Sequence, residues 1–197
     1  HLLTMCSFFG SFALKAQQTI PQNPASMSIN YVRAWEAMKP DTNRNNFTIN
    51  NSLQDSRITT QYEDGLGRPI QTVIKQMSPS GKDFITTTLY DAFGRETYKY
   101  LPFTANTASS NSSVSDGTFK LNPFEQQATF YGDNSNGPIK NQGETYYYGQ
   151  TQFEASPLNR VVKTLTAGNN WVGSNRGIEM KYWQNTTLDS VRIWNVT

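Results

Sequence analysis

A short phrase occurs twice in this chain and constrains its fold more than any other feature. The stretch YEDGLGRPIQTVIKQ covers residues 62–76, and YDAFGRETYKYLPF covers residues 90–103. Each begins with an aromatic and an acidic residue, passes through a glycine to an arginine, and continues into residues that favour strands. Glycine and acidic residues at such positions are typical of tight turns. The phrase therefore predicts a β-hairpin that the chain repeats.

A third and weaker copy, FEASPLNRVVKTL, occurs at residues 153–165. The spacing from aromatic to arginine differs between the copies, which run from Tyr62 to Arg68, from Tyr90 to Arg95 and from Phe153 to Arg160. A rigid catalytic loop would tolerate this variation poorly, whereas a hairpin with a variable turn tolerates it well. We therefore interpret the phrase as a building unit, and we expect the extra residue of the first copy in its turn.

The composition favours many short strands joined by turns. Aromatic residues reach 13% although only 36% of residues are hydrophobic. Aromatics and threonine favour strands, while asparagine and glycine favour turns. The expected fold class is mainly β, with consecutive antiparallel hairpins and one short helix. That helix is predicted at 122–133, where Asn122 can cap it, Pro123 suits its first turn and Gly132 can end it.

Turn signals divide the chain into a series of predicted strands. Residues 29–38 fit either a strand or a short helix, and a hairpin is expected over 57–76. Residues 29–197 are predicted as one β domain whose repeated hairpins cover 57–103 and 145–168. A low-complexity polar loop at 104–118 separates these hairpins and is open to disorder. Two last strands are expected on either side of a turn near residues 186–189.

The first 17 residues, HLLTMCSFFGSFALKAQ, form a short apolar segment. This segment resembles the apolar region and cleavage site of a secretory signal peptide, with cleavage after Ala16. A core strand is the alternative interpretation. Residues 18–28 carry two prolines and are expected to form an extended arm. We therefore expect an exported protein that is secreted or displayed at the cell surface.

The charge pattern argues against two classes of partner. The formal net charge is +2, and no block of lysine or arginine stands out. Proteins that bind nucleic acid usually carry a basic stripe, and anionic membranes attract polybasic segments. After residue 17 no apolar run is long enough to span a bilayer. We expect no nucleic-acid partner and no membrane span in the mature chain.

The distribution of reactive residues argues against catalysis. His1 and Cys6 are the only histidine and cysteine. Downstream of them the chain has no imidazole base, no thiol nucleophile and no histidine or cysteine metal ligand. Acidic residues that could serve a glycosidase lie at predicted turns, where acids usually cap backbone N–H groups; these are Glu63, Asp64, Asp91 and Glu154. We therefore expect no enzymatic activity, no catalytic residue, no metal and no cofactor.

The repeated phrase resembles the YD repeat of Rhs proteins, whose relatives include the shells of Tc toxins and the teneurins. The repeat reads Tyr-Asp-x-x-Gly-Arg, and Tyr90, Asp91, Gly94 and Arg95 match it. The other two copies match in part, at Tyr62, Gly67, Arg68, Phe153, Glu154 and Arg160. In order along the chain, the segments around these residues resemble the N-terminal domain that precedes the repeats in Rhs-type proteins of Bacteroidota.

This resemblance implies a large secreted or cell-surface protein whose hairpins join into a β-sheet shell. In many members of the family the shell encloses a C-terminal toxin or effector. The expected function is therefore structural: the module begins or seals such a shell, and its main partner is the rest of the same polypeptide. As a local hypothesis, Tyr90, Asp91 and Arg95 form a clamp that stabilises their turn.

A second interpretation is an adhesin-like surface module that binds glycans or another protein. Its candidate binding aromatics are Trp171, Tyr182 and Trp183, which could offer stacking faces. Tyr146, Tyr147, Tyr148 and Trp194 are further aromatics of this kind. The competing explanation for all of them is packing along strand faces, which needs no ligand.

Overall fold

The computed structural model describes residues 29–107 and 113–189, and it is mainly β, as predicted. The apolar segment 1–17 and the arm at 18–28 lie outside the described residues. The same holds for the strand expected after residue 189, including Trp194. No helix in the described ranges has the length and apolar character needed to cross a membrane.

The described residues form nine strands and one α-helix. In chain order they are β1 (Asn30–Ala37), β2 (Ser56–Glu63), β3 (Pro69–Ile74), β4 (Phe84–Thr87), β5 (Tyr98–Tyr100), β6 (Phe103–Thr104), α1 (Pro123–Gly132), β7 (Tyr148–Phe153), β8 (Val161–Leu165) and β9 (Ile178–Glu179). The segment 29–38 is thus a strand and not a short helix. Strands β2 and β3 form the hairpin predicted over 57–76.

The strands make two antiparallel sheets that follow the order of the chain. The first sheet has the order β1-β2-β3-β4-β6, and the second has the order β5-β7-β8-β9. Strands β5 and β6 belong to one stretch, residues 98–104, and a bridge between Thr88 and Lys99 joins β5 to the end of β4. The two sheets therefore continue one antiparallel meander of hairpins.

This meander brings the three copies of the repeated phrase to the same end of the strands. The turns lie between β2 and β3, between β4 and β5, and between β7 and β8. Successive turns at one end of a meander are separated by two strand spacings, which is about 10 Å. A long side chain can cross that distance, so each turn lies within reach of the next.

The core lies on one face of the first sheet. Along β2 every second residue is buried, as period-two alternation requires. The buried cluster joins residues from five segments, namely Tyr62, Val73, Ile85, Phe103, Ala105 and Phe119. Phe119 follows the polar stretch that was predicted as an open loop at 104–118. Ala105 and Gly117 of that stretch are buried, so the stretch contributes to the core near both of its ends.

The helix begins at Pro123 as predicted, but the expected cap is wrong. The side chain of Asn122 makes no capping hydrogen bond, because its backbone has a left-handed φ of 47°. Its amide group instead donates to Glu125 Oε2 at 3.2 Å. The backbone carbonyl of Asn122 still accepts the N–H of Gln126, so the helix starts without a side-chain cap.

Helix α1 packs where the two sheets meet. The ring of Phe124 lies edge-on to that of Tyr100, with the centroids 4.8 Å apart. The side chain of Gln127 donates to the carbonyl of Leu101 at 2.5 Å. The hydroxyl of Tyr131 donates to the next carbonyl, that of Pro102. These contacts fix the bend between β5 and β6, and so they set the position of the second sheet relative to the first.

Candidate functional site

The first turn of the repeat is closed by a carboxylate and an arginine. Asp64 Oδ1 accepts the backbone N–H groups of Leu66 and Arg68 at 2.8 and 2.9 Å. Asp64 Oδ2 accepts the Arg68 guanidinium through Nε at 2.8 Å and through a terminal nitrogen at 2.7 Å. The intervening Gly67 has a φ of 76°, which glycine adopts readily. We call this arrangement of acid, turn and arginine a clamp.

The second turn repeats the clamp atom for atom. Asp91 Oδ1 accepts the N–H groups of Phe93 and Arg95, both at 2.9 Å. Asp91 Oδ2 accepts two nitrogens of the Arg95 guanidinium, both at 2.8 Å. Gly94 has the same φ of 76° as its counterpart in the first clamp. Because the two clamps agree in every contact, the acid and the arginine form one geometric unit.

This agreement shows that the extra residue of the first copy was placed wrongly. Asp64 precedes Arg68 by the same four positions that separate Asp91 from Arg95, so the two turns have equal length. The pairing of β2 with β3 instead shifts register between Tyr62 and Glu63. The additional residue is therefore a bulge at the end of the strand, and the turn itself does not vary.

The third turn reaches the same closure with a longer loop and a longer acid. Arg160 follows Glu154 by six positions, and its Nε and terminal nitrogen donate to the two carboxylate oxygens at 2.9 and 2.8 Å. The hydroxyl of Ser156 also donates to Glu154, at 2.6 Å. Asn159 takes the place of the glycine, with a φ of 53°. Asparagine tolerates this left-handed conformation better than most residues.

The clamps favour the charged form of their carboxyl groups. Hydrogen bonds from the backbone N–H groups of Arg68 and Arg95 are the largest causes that lower the pKa values of Asp64 and Asp91. The side chain of Arg160 is the largest cause that lowers the pKa of Glu154 to about 2. A carboxylate with several N–H donors is stabilised in its ionised state. These acids therefore hold their turns and are poorly suited to general acid catalysis at neutral pH.

Each clamp arginine also contacts an aromatic ring farther along the chain, at a distance suited to a cation–π interaction. For Arg68 and Arg95 this ring begins the next copy of the repeat, and for Arg160 it lies in the segment after the third copy. The three pairs are Arg68 over Tyr90 at 4.3 Å, Arg95 over Phe153 at 4.5 Å and Arg160 over Tyr182 at 4.7 Å. The clamps therefore form a directional series, which we call the arginine ladder.

The ladder modifies the hypothesis of a local clamp made by Tyr90, Asp91 and Arg95. The pair of Asp91 and Arg95 is present, but the ring of Tyr90 is stacked by Arg68 from the preceding turn. Arg95 in turn donates to Asn159 Oδ1 of the following turn at 2.7 Å. The aromatic residues that begin the second and third units, Tyr90 and Phe153, are therefore stacked by the arginine of the preceding unit.

The start of the ladder is covered by β1. Tyr62, the aromatic of the first unit, lies 5.7 Å from the ring of Tyr31 and 5.1 Å from that of Phe119. The guanidinium of Arg33 lies over Tyr31 at 4.8 Å and donates to Thr60 Oγ1 at 2.8 Å. Strand β1 thus covers the first aromatic of the series with a ring, that of Tyr31, which Arg33 stacks in turn.

Comparison with known proteins supports a single assignment. A family model described as a domain of unknown function, DUF6443, matches residues 33–184. The chain belongs to this family. Comparisons of the chain with curated proteins and with solved structures give no match. In this DUF6443 domain the matched residues include all three clamps and the last described ring of the ladder, Tyr182.

The candidate binding aromatics of the DUF6443 domain lie in different surroundings. Trp171 is 47% exposed and lines a groove of about 600 Å³ together with Leu165 and Ile178. Tyr182 is half exposed because Arg160 covers one of its faces. Trp183 is 82% exposed. The structure therefore does not gather these three residues into one site.

The three consecutive tyrosines of β7 and the segment before it serve packing. Tyr148 lies edge-on to Tyr98 at 5.3 Å, and Tyr147 stacks on Tyr131 of α1 at 5.0 Å. Tyr146 lies edge-on to Tyr148 at 5.9 Å. These contacts agree with the packing explanation for this aromatic run.

The described part of the domain also contains no cluster of three or more histidine, cysteine or acidic side chains placed to hold a metal ion. Asp64 could have been identified from the sequence as the acid of the first clamp, and the same spacing puts Asn159 in the place of the glycine. Asp64 has the spacing to Arg68 that Asp91 has to Arg95, and Asn159 precedes its arginine as the two glycines do. The signal in both cases was position relative to the arginine, which is more regular than position relative to the aromatic.

Proposed function

We propose that this DUF6443 chain is a non-catalytic structural module of a secreted or cell-surface Rhs/YD-repeat protein. In this proposal the module begins or seals a β-sheet shell, and the shell carries a C-terminal effector or toxin. The proposal combines the resemblance of the repeated phrase to YD units with the contacts made by the clamps. Its partner is the remainder of the same polypeptide.

The arginine ladder is the observation that carries this proposal. Each arginine closes its own turn and stacks on a ring farther along the chain, and for Arg68 and Arg95 this ring begins the next unit. The direction is constant over three steps and ends at Tyr182 among the described residues. A repeated hairpin array requires this kind of nearest-neighbour contact, because single units bury too little surface alone.

The position of β1 supports a role at the start of the array. Strand β1 is exposed along almost its whole length and covers the first aromatic of the ladder through Tyr31. Residues 113–121 and α1, which lie between β6 and β7, cover the first sheet and are unlike the short clamp turns. A first unit needs such a cap, since no preceding repeat is available to cover it.

The test is proteolysis of the full-length protein that contains this domain. In the unaltered protein we expect the C-terminal segment to resist added protease. Deletion of residues 29–184 should expose that segment, while the remaining repeats stay soluble. Arg160→Ala should weaken protection to a lesser degree, because it removes the last described step of the ladder. Arg57→Ala is the matched control, since this exposed arginine pairs with Glu36 at the edge of the sheet.

The outcomes of this test separate the alternatives. If the C-terminal segment is cut equally fast with and without residues 29–184, the domain does not seal a shell and the proposal fails. If Arg57→Ala exposes the segment as much as Arg160→Ala does, the ladder has no special part in the closure.

A second candidate function is a surface module that binds glycans. The observation in its favour is the environment of Trp171, which also lines a smaller cavity of about 260 Å³ with Tyr146, Glu144 and Asn170. An aromatic ring beside carboxylate and amide groups can stack on a sugar and bind its hydroxyls. Reproducible binding on a glycan array that Trp171→Ala abolishes would support this function. A blank array with folded protein would count against it.

A further inference from the structure

A buried lysine lies between two carboxylates in the core of the first sheet, away from the clamps. Lys120 Nζ is 2.8 Å from Asp83 Oδ2 and 2.6 Å from Asp116 Oδ1. It also donates to the carbonyl of Ser113 at 3.0 Å. The side chains of Lys120 and Asp83 are both fully buried, at 0% exposure. Nothing in the proposed structural function uses this cluster.

The carboxyl group of Asp83 is also held by two backbone N–H groups. Gln76 donates to Oδ1 at 2.9 Å, and Gly117 donates to Oδ2 at 2.8 Å. Gln76 is not a glycine, yet its φ is 54°. Residues other than glycine rarely adopt this left-handed backbone conformation, and it is found preferentially where function or packing demands it. The backbone of Gln76 therefore supplies a fixed donor on the oxygen that is farther from the amine.

We propose that Lys120 and Asp83 join in an intramolecular isopeptide bond, with Asp116 as the proton carrier. The cluster contains the parts that amide formation requires. Lys120 supplies a nucleophilic amine, Asp83 supplies the carboxyl carbon, and Gln76 N–H can stabilise the oxyanion that develops on Oδ1. The fold holds these groups in contact, so the reaction is intramolecular and needs no further ordering.

The reaction balances without any added reagent. One proton passes from the Lys120 ammonium to Asp83 Oδ2, and the electron pair of the free amine attacks Cγ of Asp83. Asp116 takes a second proton from the new C–N centre and delivers it to Oδ2. The bond from Cγ to Oδ2 then breaks, Oδ1 regains its double bond, and Oδ2 leaves as water. The products are an amide, one water molecule and the unchanged Asp116 carboxylate.

Burial favours the product over the ion pair. Two charges that are removed from water retain a large desolvation cost even when they are paired. An amide between Lys120 and Asp83 carries no charge, so this cost disappears for that pair. Asp116 keeps an electrostatic partner, because the nearby Lys75 interacts with both carboxylates. The cross-link would tie the segment after β3 and its turn to residues 113–120, which cover the core.

The test is the mass of the full chain after purification under native conditions. We expect the mass to be lower than the sequence mass by one water molecule. After digestion, tandem mass spectrometry should find the peptide with Lys120 joined to the peptide with Asp83. Lys120→Arg should restore the full mass, and Asp116→Asn should leave a large unreacted fraction. Lys140→Arg, at an exposed lysine outside the cluster, is the matched control and should keep the deficit.

Two results would overturn the proposal. The first is a full sequence mass for unaltered protein that unfolds cooperatively, because the cluster would then be a buried ion pair only. The second is a deficit of one water molecule confined to a single linear peptide, which indicates cyclisation of an aspartate with its own backbone. Since the unaltered protein decides the question, a variant that fails to fold does not weaken the test.

Discussion

The two sheets of this domain bury their side chains very differently. In the first sheet, β2 alternates between buried and more exposed residues and packs on a shared core. In the second sheet, all six residues of β7 are half-buried, and in β8 only Leu165 is buried. The first sheet therefore has one covered face, as an antiparallel sheet with its own core should. The second sheet leaves both faces partly open.

This difference indicates that the first and the second sheet are stabilised by different kinds of contact. Residues 113–121 and α1 cover the first sheet, so its hairpins bury apolar side chains locally. The second sheet is attached through Tyr100, through α1 and through the arginines of the clamps. We infer that the first sheet depends mainly on its core, and that the second depends more on polar contacts between neighbouring turns.

The largest effect should come from truncating the core of the first sheet. Phe103 is 1% exposed and lies in the cluster with Tyr62 and Ile85. Phe103→Ala should lower the free energy of unfolding by about 3–5 kcal/mol, because it leaves a cavity that a packed core cannot fill. Leu165→Ala in the second sheet should cost about 2 kcal/mol, near the lower end for a buried leucine, since its half-open surroundings can relax.

Urea denaturation followed by far-ultraviolet circular dichroism measures both variants. Equal losses at Phe103 and Leu165 would show that the second sheet is packed as tightly as the first, and the comparison between the sheets would then be wrong.

A smaller effect is expected at the turn that joins the two sheets. Gly94 has a φ of 76°, and a Cβ there would lie 2.9 Å from a terminal nitrogen of Arg68. Gly94→Ala should cost about 1–2 kcal/mol for the left-handed conformation alone, and more for displacing the arginine. Gly67→Ala is the matched control, because it has the same φ but open space around the added carbon. Identical losses would mean that Arg68 moves aside freely.

A still smaller effect is expected from the cation–π contact that joins the two sheets. Arg95 closes the turn after β4 and stacks on Phe153 at the end of β7. A double-mutant cycle with Arg95→Ala and Phe153→Ala should give a coupling of about 0.5–1 kcal/mol, as expected for a partly exposed cation–π pair. The corresponding cycle for Arg57 and Glu36, an exposed ion pair, should give about 0–0.5 kcal/mol. A coupling of zero for Arg95 and Phe153 would show that the arginine ladder does not stabilise the contact between the sheets.

The smallest effect is the pH dependence of the third clamp. Because Arg160 lowers the pKa of Glu154 from 4.5 to about 2, the folded state binds this proton less readily than the unfolded state does. The contribution of Glu154 to stability is therefore complete above pH 4.5 and is lost as the pH falls toward 2. Denaturation curves of the unaltered protein and Glu154→Gln should converge over this window. Parallel curves would show that the clamp is too exposed to matter.

Much of the local structure followed from the sequence. Turn residues and strand-forming residues predicted the hairpins, and Pro123 with Gly132 predicted the limits of α1. The arginine of each turn and the acids Asp91 and Glu154 were also identified from the repeated phrase, whereas Asp64 was not. These features depend on neighbours within a few positions, so backbone propensity and turn chemistry are enough to locate them.

Other features depend on partners that the sequence does not reveal. The bulge at Tyr62 arises from the register with β3, and Arg95 covers, besides its neighbour Phe93, the ring of Phe153, 58 positions away. The stretch at 104–118 looked like an open loop, yet Gly117 contacts Asp83 across the core. Composition could not indicate this, because a polar segment is buried only when distant groups satisfy its hydrogen bonds.

The sequence by itself determined that this chain builds consecutive hairpins whose turns carry an acid and an arginine. Only the tertiary structure decided that each of these arginines also covers an aromatic ring farther along the chain. The physical reason is the meander, which places successive turns about two strand spacings apart at one end of the strands. At that distance a guanidinium can hold its own carboxylate and still cover the ring of its neighbour.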